Sequence, residues 1–281
     1  MKRSDETSAF EPTAVALGDP PRSILVNSIV AAVLAEALMV IAHELCHLVT
    51  GLALGTGGTL FPYGVSPTVI LSPTGIALTA ISAPLFSLVS GALLAVWQPL
   101  RSRGGFGQVL WIWFAFVSIM EGVSYLVITP FGAGDTAATA DALGWPLWPR
   151  LVACGIGIAG MFGAARMFAP LVRRYAGTER VSTWAFAFWP WVIGSVIDML
   201  LSVIYLSLSA AQLSGGEQMA IVMAGMSAFV FAPMSFIFRG SVVNEPFEPL
   251  RLRPVPVGGV VGVVAVLVVN LILVRGFTVG H

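Results

Sequence analysis

Two of the chain's three histidines stand four residues apart with a carboxylate between them, in the stretch His43-Glu44-Leu45-Cys46-His47. On an α-helix, residues four apart lie on one face one turn apart, so both imidazoles can offer a nitrogen to one metal ion with Glu44 beside them. Such a group can grip a divalent cation and move a proton next to it. The bland alternative is a pair of buried histidines satisfied by neighbouring hydroxyls and carbonyls, with Glu44 protonated. The surroundings favour the first reading. The stretch lies in an apolar run, 24–49, long enough to span a bilayer, where ionisable side chains are costly and mark function by default.

The elements that must carry this group are membrane helices. Hydrophobic residues make up 57% of the 281 and charged residues only 10%, against about a quarter charged in a soluble domain. The expected class is therefore an all-α polytopic membrane protein, multi-pass in the cell membrane. Fourteen Lys and Arg balance fourteen Asp and Glu, which argues against a nucleic-acid partner. Residues 1–22 are polar, contain proline and lack a cleavable apolar core, so they read as a cytoplasmic tail. Cys46 and Cys154 both fall in expected helices and suggest no disulfide framework.

Seven apolar runs are long enough to cross: 24–49, 69–100, 106–129, 151–172, 182–211, 219–238 and 257–275. The second and fifth exceed the required length, with Pro84 and Pro190 as kink sites. Arginines decide the orientation. Lys2, Arg3 and Arg22 precede the first run, and Arg101, Arg103, Arg173, Arg174, Arg180, Arg239, Arg251 and Arg253 fill the second, fourth and sixth connections. The other connections hold little beyond Arg150, which places the N-terminus in the cytoplasm and the histidine end outside. The uncharged, glycine-rich stretch 51–64 is too apolar for a plain solvent loop and is expected as a re-entrant or hairpin segment beside the metal site.

A two-histidine site needs a third ligand. The third run ends in Pro130, Gly132 and Gly134, which break the helix, so Asp135 can turn back from a non-helical support on the histidine side. Asp135 is the favoured ligand. Glu121 in the third run and Asp198 in the fifth are alternatives, as ligands or as lining of a polar path. Glu36, seven residues before His43, is placed to orient its ring, because metal-bound imidazoles donate their other N–H to a carboxylate or carbonyl. Cys46 is read as packing, and the C-terminal half offers little chemistry beyond glycine-rich faces such as Gly157, Gly160, Gly259 and Gly262.

Across residues 40–144 the sequence resembles the site-2-protease family of intramembrane zinc metalloproteases. The likeness rests on HELCH, on Ser-Ala-Pro-Leu-Phe-Ser-Leu-Val-Ser-Gly at 82–91 and on Gly-Ala-Gly-Asp at 132–135. It implies a three-helix metalloprotease-like core over 23–147, and the four apolar runs beyond it make a four-helix membrane region over 148–281. It further implies zinc at His43, His47 and Asp135, Glu44 as catalytic base, and membrane-embedded protein or peptide substrates. The residues themselves also allow a non-catalytic metal-binding scaffold or sensor on such a core, or a transporter that uses Glu36, Glu121 and Asp198 as an ion path. Cys46 stands where the family usually has Gly, and the arginine distribution turns the site outward where relatives face the cytosol.

Overall fold

The structure is a computed structural model in which residues 18–101, 103–211, 213, 215–225 and 230–280 are described. Residues 1–17 of the expected tail, Lys2 and Arg3 among them, lie outside the described residues. Helix α1 (Pro21–Ala53) starts at a proline, whose fixed φ and missing N–H suit the first turn of a helix. It therefore begins slightly earlier than the apolar run alone suggests. Its buried stripe, Ile24, Ser28, Ala31, Ala35, Met39, His43 and His47, advances by three or four residues at each step. The histidines thus continue the very face that packs into the bundle.

After α1 the glycine-rich stretch folds as a hairpin, β1 (Gly58–Phe61) against β2 (Gly64–Pro67), with Phe61 opposite Gly64. The strand β3 (Phe277–Val279) pairs with the other side of β1, giving the antiparallel order β2-β1-β3. Helices α2 (Pro73–Trp97) and α3 (Gly105–Ile128) follow and pack on α1. Their approach is close. A Cβ at Gly122 would lie 2.8 Å from Leu88 Cβ and 2.9 Å from the Pro84 carbonyl oxygen, and one at Gly91 would lie 2.8 Å from the Ile119 nitrogen. Small residues let membrane helices meet backbone to backbone, where dispersion forces replace the hydrophobic drive.

A 3-10 turn at Thr129–Phe131 ends α3, and α4 (Asp135–Ala142) and α5 (Leu147–Ala176) come next. Gly157 of α5 reaches α3, where a Cβ would meet the Val123 carbonyl oxygen at 2.7 Å, whereas Gly155 and Gly163 face open space. The core between α1, α3 and α5 is aromatic: Trp113, Phe116, Phe168 and Phe186 are almost fully buried, with Phe116 and Phe168 stacked at 4.3 Å. The helix Arg180–Leu208 carries a π-helical turn at Trp184–Phe188, and Pro190 opens the regular helix after it.

Among the described residues, five helices are long and apolar enough to cross a membrane: Pro21–Ala53, Pro73–Trp97, Gly105–Phe131, Leu147–Ala176 and Arg180–Leu208. The chain is a largely helical membrane protein. The last apolar run forms a shorter helix, Val257–Leu273. The sixth run is not one helix: Gly215–Gly225 is helical, 226–229 lie outside the described residues, and Ala232–Ser241 is a 3-10 helix on α5. Pro233 has no N–H to continue an α-helix there.

The two ends of the bundle differ. At one, a loop before Val257 ties the starts of α1 and α3 together. Asp19 accepts from the Arg251 and Leu252 nitrogens at 3.0 and 2.6 Å, Asn27 Nδ2 donates to the Arg253 carbonyl at 2.8 Å, and the Gly105 nitrogen donates to the Leu250 carbonyl. At the other end sit His43 and His47, the hairpin and α4.

Candidate metal centre

His43 and His47 reach the site from successive turns of α1, and Asp135 arrives from α4. The ligand atoms converge: His43 Nε2 lies 2.9 Å and His47 Nε2 3.2 Å from Asp135 Oδ2, and the two Nε2 atoms are 3.1 Å apart. The expected non-helical support for Asp135 is corrected here, since Asp135 is the first residue of α4. Gly132 and Gly134 make the turn possible, with φ of 71° and 76°, a region that side-chain-bearing residues rarely enter. Threonines then pin the turn to α3. Thr136 Oγ1 and Thr129 Oγ1 both donate to the Tyr125 carbonyl, at 2.6 and 2.9 Å.

The tautomers follow from the outer partners. His47 Nδ1 is 2.7 Å from the Thr79 carbonyl oxygen, which can only accept, so Nδ1 carries the proton and Nε2 presents a lone pair. His43 Nδ1 is 2.6 Å from Glu121 Oε1, a contact that needs a proton between the atoms although it is skewed from good hydrogen-bond alignment. With that proton on Nδ1, His43 Nε2 is also a lone pair. With neutral rings, two nitrogen lone pairs and a carboxylate oxygen point at one another across about 3 Å, an arrangement that a proton or a metal ion among them would stabilise.

The donor set fits a metal. Ligand atoms about 2.0–2.2 Å from a tetrahedral zinc stand roughly 3.3–3.6 Å from each other, and the observed edges of 2.9–3.2 Å need only a small outward shift. The group His43, His47 and Asp135 could hold a metal ion. Asp135 Oδ2 supplies the oxygen of the set, a donor that a divalent cation takes as readily as an imidazole nitrogen.

The other carboxylates have different places. Glu121 stands behind His43 rather than in the ligand triangle, the position that sequence reasoning gave to Glu36. Glu36 and Asp198 are near enough to each other to interact electrostatically, on α1 and the helix Arg180–Leu208, and neither joins the triangle. Cys46 is not among the converging atoms. Glu44 is buried, its Oε2 has no hydrogen-bond partner, and its side chain lines the cavity in front of the histidines.

That cavity is about 360 Å³ and is walled by His43, Glu44, His47 and Asp135 together with Gly57, Gly58, Tyr63, Gly64 and Val65 of the hairpin. The hairpin is therefore part of the site, and β2 is an edge strand beside it. Two further contributors were missed by the sequence reading. Thr79 acts through its backbone, which no side-chain pattern reveals. Tyr125 lies one helical turn after Glu121 on α3, and that spacing was a usable signal.

No family model, curated protein or solved structure matches the chain.

Proposed function

We propose that the chain is an intramembrane zinc-dependent endopeptidase that hydrolyses peptide bonds of membrane-embedded proteins or peptides. One observation carries the reading: two imidazole nitrogens and a carboxylate oxygen converge at a cavity also lined by a buried glutamate, Glu44, whose Oε2 has no hydrogen-bond partner. His43, His47 and Asp135 would hold the ion, and an N₂O donor set with neutral imidazoles suits zinc. When bound, zinc supplies Lewis acidity, polarising a carbonyl and making water more acidic.

The chain's own groups do the rest. Glu44 lines the cavity and its Oε2 is free of other hydrogen bonds, so its carboxylate can take a proton from water as the water oxygen bonds to the carbonyl carbon. The same carboxyl returns that proton to the amide nitrogen as the C–N bond breaks, leaving a carboxylate and an amine. Glu121 and the Thr79 carbonyl fix the two rings from behind. The exposed edge of β2 offers main-chain hydrogen bonds to a substrate in extended form, which a transmembrane helix must adopt locally before its carbonyl can react.

In this reading the N-terminal three helices are the protease-like core, the chain crosses seven times with its sixth pass irregular, and the arginine-rich end lies in the cytoplasm. The test pairs zinc content with cleavage. Purified protein is expected to hold one zinc and to cut a reporter carrying a transmembrane segment in detergent. Glu44→Gln is expected to keep the zinc and to lose cleavage by about 10²–10⁴-fold. A Glu44→Gln protein that still cut the reporter would overturn the proposal.

A further inference from the structure

Tyr125 is a polar side chain that the mechanism above does not use. It lies within the span Gly105–Phe131, and its ring stacks on that of His43, with centroids 5.3 Å apart and planes 14° from parallel. Its hydroxyl stands 3.4 Å from His43 Nε2 and its side chain lines the same cavity as Glu44. A phenylalanine could supply the stack and the packing. The hydroxyl is therefore the feature to be explained, because a buried polar group in an apolar span costs free energy unless it is used.

At neutral pH a phenol is a neutral donor. His43 Nε2 is a poor acceptor for it, since the contact is long and the lone pair already points at the His47 and Asp135 ligand atoms. The Asp135 carboxylate is its other acceptor, and an ion held by Asp135 would take up that charge and leave the phenol proton to an oxygen that enters the cavity. In peptide hydrolysis the oxygen that gains charge is that of the scissile carbonyl. A preorganised donor aimed there in a water-poor site is worth far more than in solution.

We propose that Tyr125 is a catalytic residue whose hydroxyl donates a hydrogen bond to the scissile carbonyl oxygen as it becomes negative. The assignment rests on the endopeptidase reading and names a second catalytic group within it. Glu44 handles protons and Tyr125 stabilises charge, with no proton transferred from the phenol.

The experiment compares wild type with Tyr125→Phe, which keeps the ring on His43. Three readouts are taken: bound zinc, kcat and KM on the transmembrane reporter, and affinity for a phosphinic peptide whose charged oxygens imitate the reacting centre. Expected are unchanged zinc, KM within about twofold, and kcat and phosphinic-peptide affinity each about 10²-fold lower. Replacing Tyr125 by 3-fluorotyrosine, a stronger donor of nearly the same size, is expected to tighten the phosphinic peptide and guards against a misfolded variant. Equal kcat and equal phosphinic-peptide affinity in Tyr125→Phe would sink the role of Tyr125 alone. Loss of zinc from Tyr125→Phe would also sink it, making the side chain a support for His43. A zinc-loaded wild type that neither cuts the reporter nor binds the phosphinic peptide would sink the endopeptidase reading with it.

Discussion

Glu121 shows how much a residue behind a ligand decides. Its oxygen, 2.6 Å from His43 Nδ1, keeps the proton on the outer nitrogen and turns the inner one toward Asp135. Glu121→Gln can offer an amide hydrogen to Nδ1, which favours the wrong tautomer. The expected result is about 10–100-fold weaker zinc binding with all three ligands intact, read by competition with a chelating dye. His47→Ala removes one of the three groups that would hold the ion, and its protein is expected to purify without metal. The spacing of His43 and His47 and the placement of Asp135 after a glycine-rich break were legible in the sequence. The choice between Glu36 and Glu121 was not. Glu36 shares a helix with His43 and so looked near, but seven residues is about two turns, roughly 10 Å along the axis. Glu121 comes from another helix, and only packing brings it to the ring.

At the scale of elements, a hydroxyl of α4 ties it to α3. Thr136→Val removes one donor to the Tyr125 carbonyl while keeping the shape. It is expected to lower zinc affinity measurably and to leave the bundle folded, because it loosens the base from which Asp135 points. The contact of α2 with α3 is less forgiving. Gly122→Val places atoms where Leu88 and the Pro84 carbonyl already lie, so about 1–3 kcal/mol of stability is expected to go. Thermal unfolding in detergent followed by circular dichroism would read it, and an unchanged midpoint would count against the packing described. The helices were legible from their apolar runs. The hairpin was legible as a segment beside the site, but not as the middle of a three-stranded sheet, because the third strand lies more than two hundred residues away. The sixth run read as one helix since its hydropathy is uniform, whereas Pro233 and its neighbours fold as a 3-10 helix.

For the whole molecule, the two ends of the bundle divide the labour. One carries the cavity and the hairpin, and the other carries the loop bonded to Asp19, Asn27 and Gly105. Orientation is open to direct measurement in a background with Cys46 and Cys154 changed to alanine. Thr68→Cys, exposed just after β2, is expected to react with an impermeant thiol reagent applied outside intact cells. Arg103→Cys, exposed at the opposite end, is expected to react only after the membrane is opened. The reverse pattern would place the histidines on the cytosolic face.

The pairing of β3 with β1 sets a temporal order on assembly. β1 follows the first helix in the chain, and its second neighbour is made only after the helix Val257–Leu273. While the ribosome is still producing the intervening helices, one flank of the hairpin stays bare. A chain of this design completes the sheet beside its cavity last.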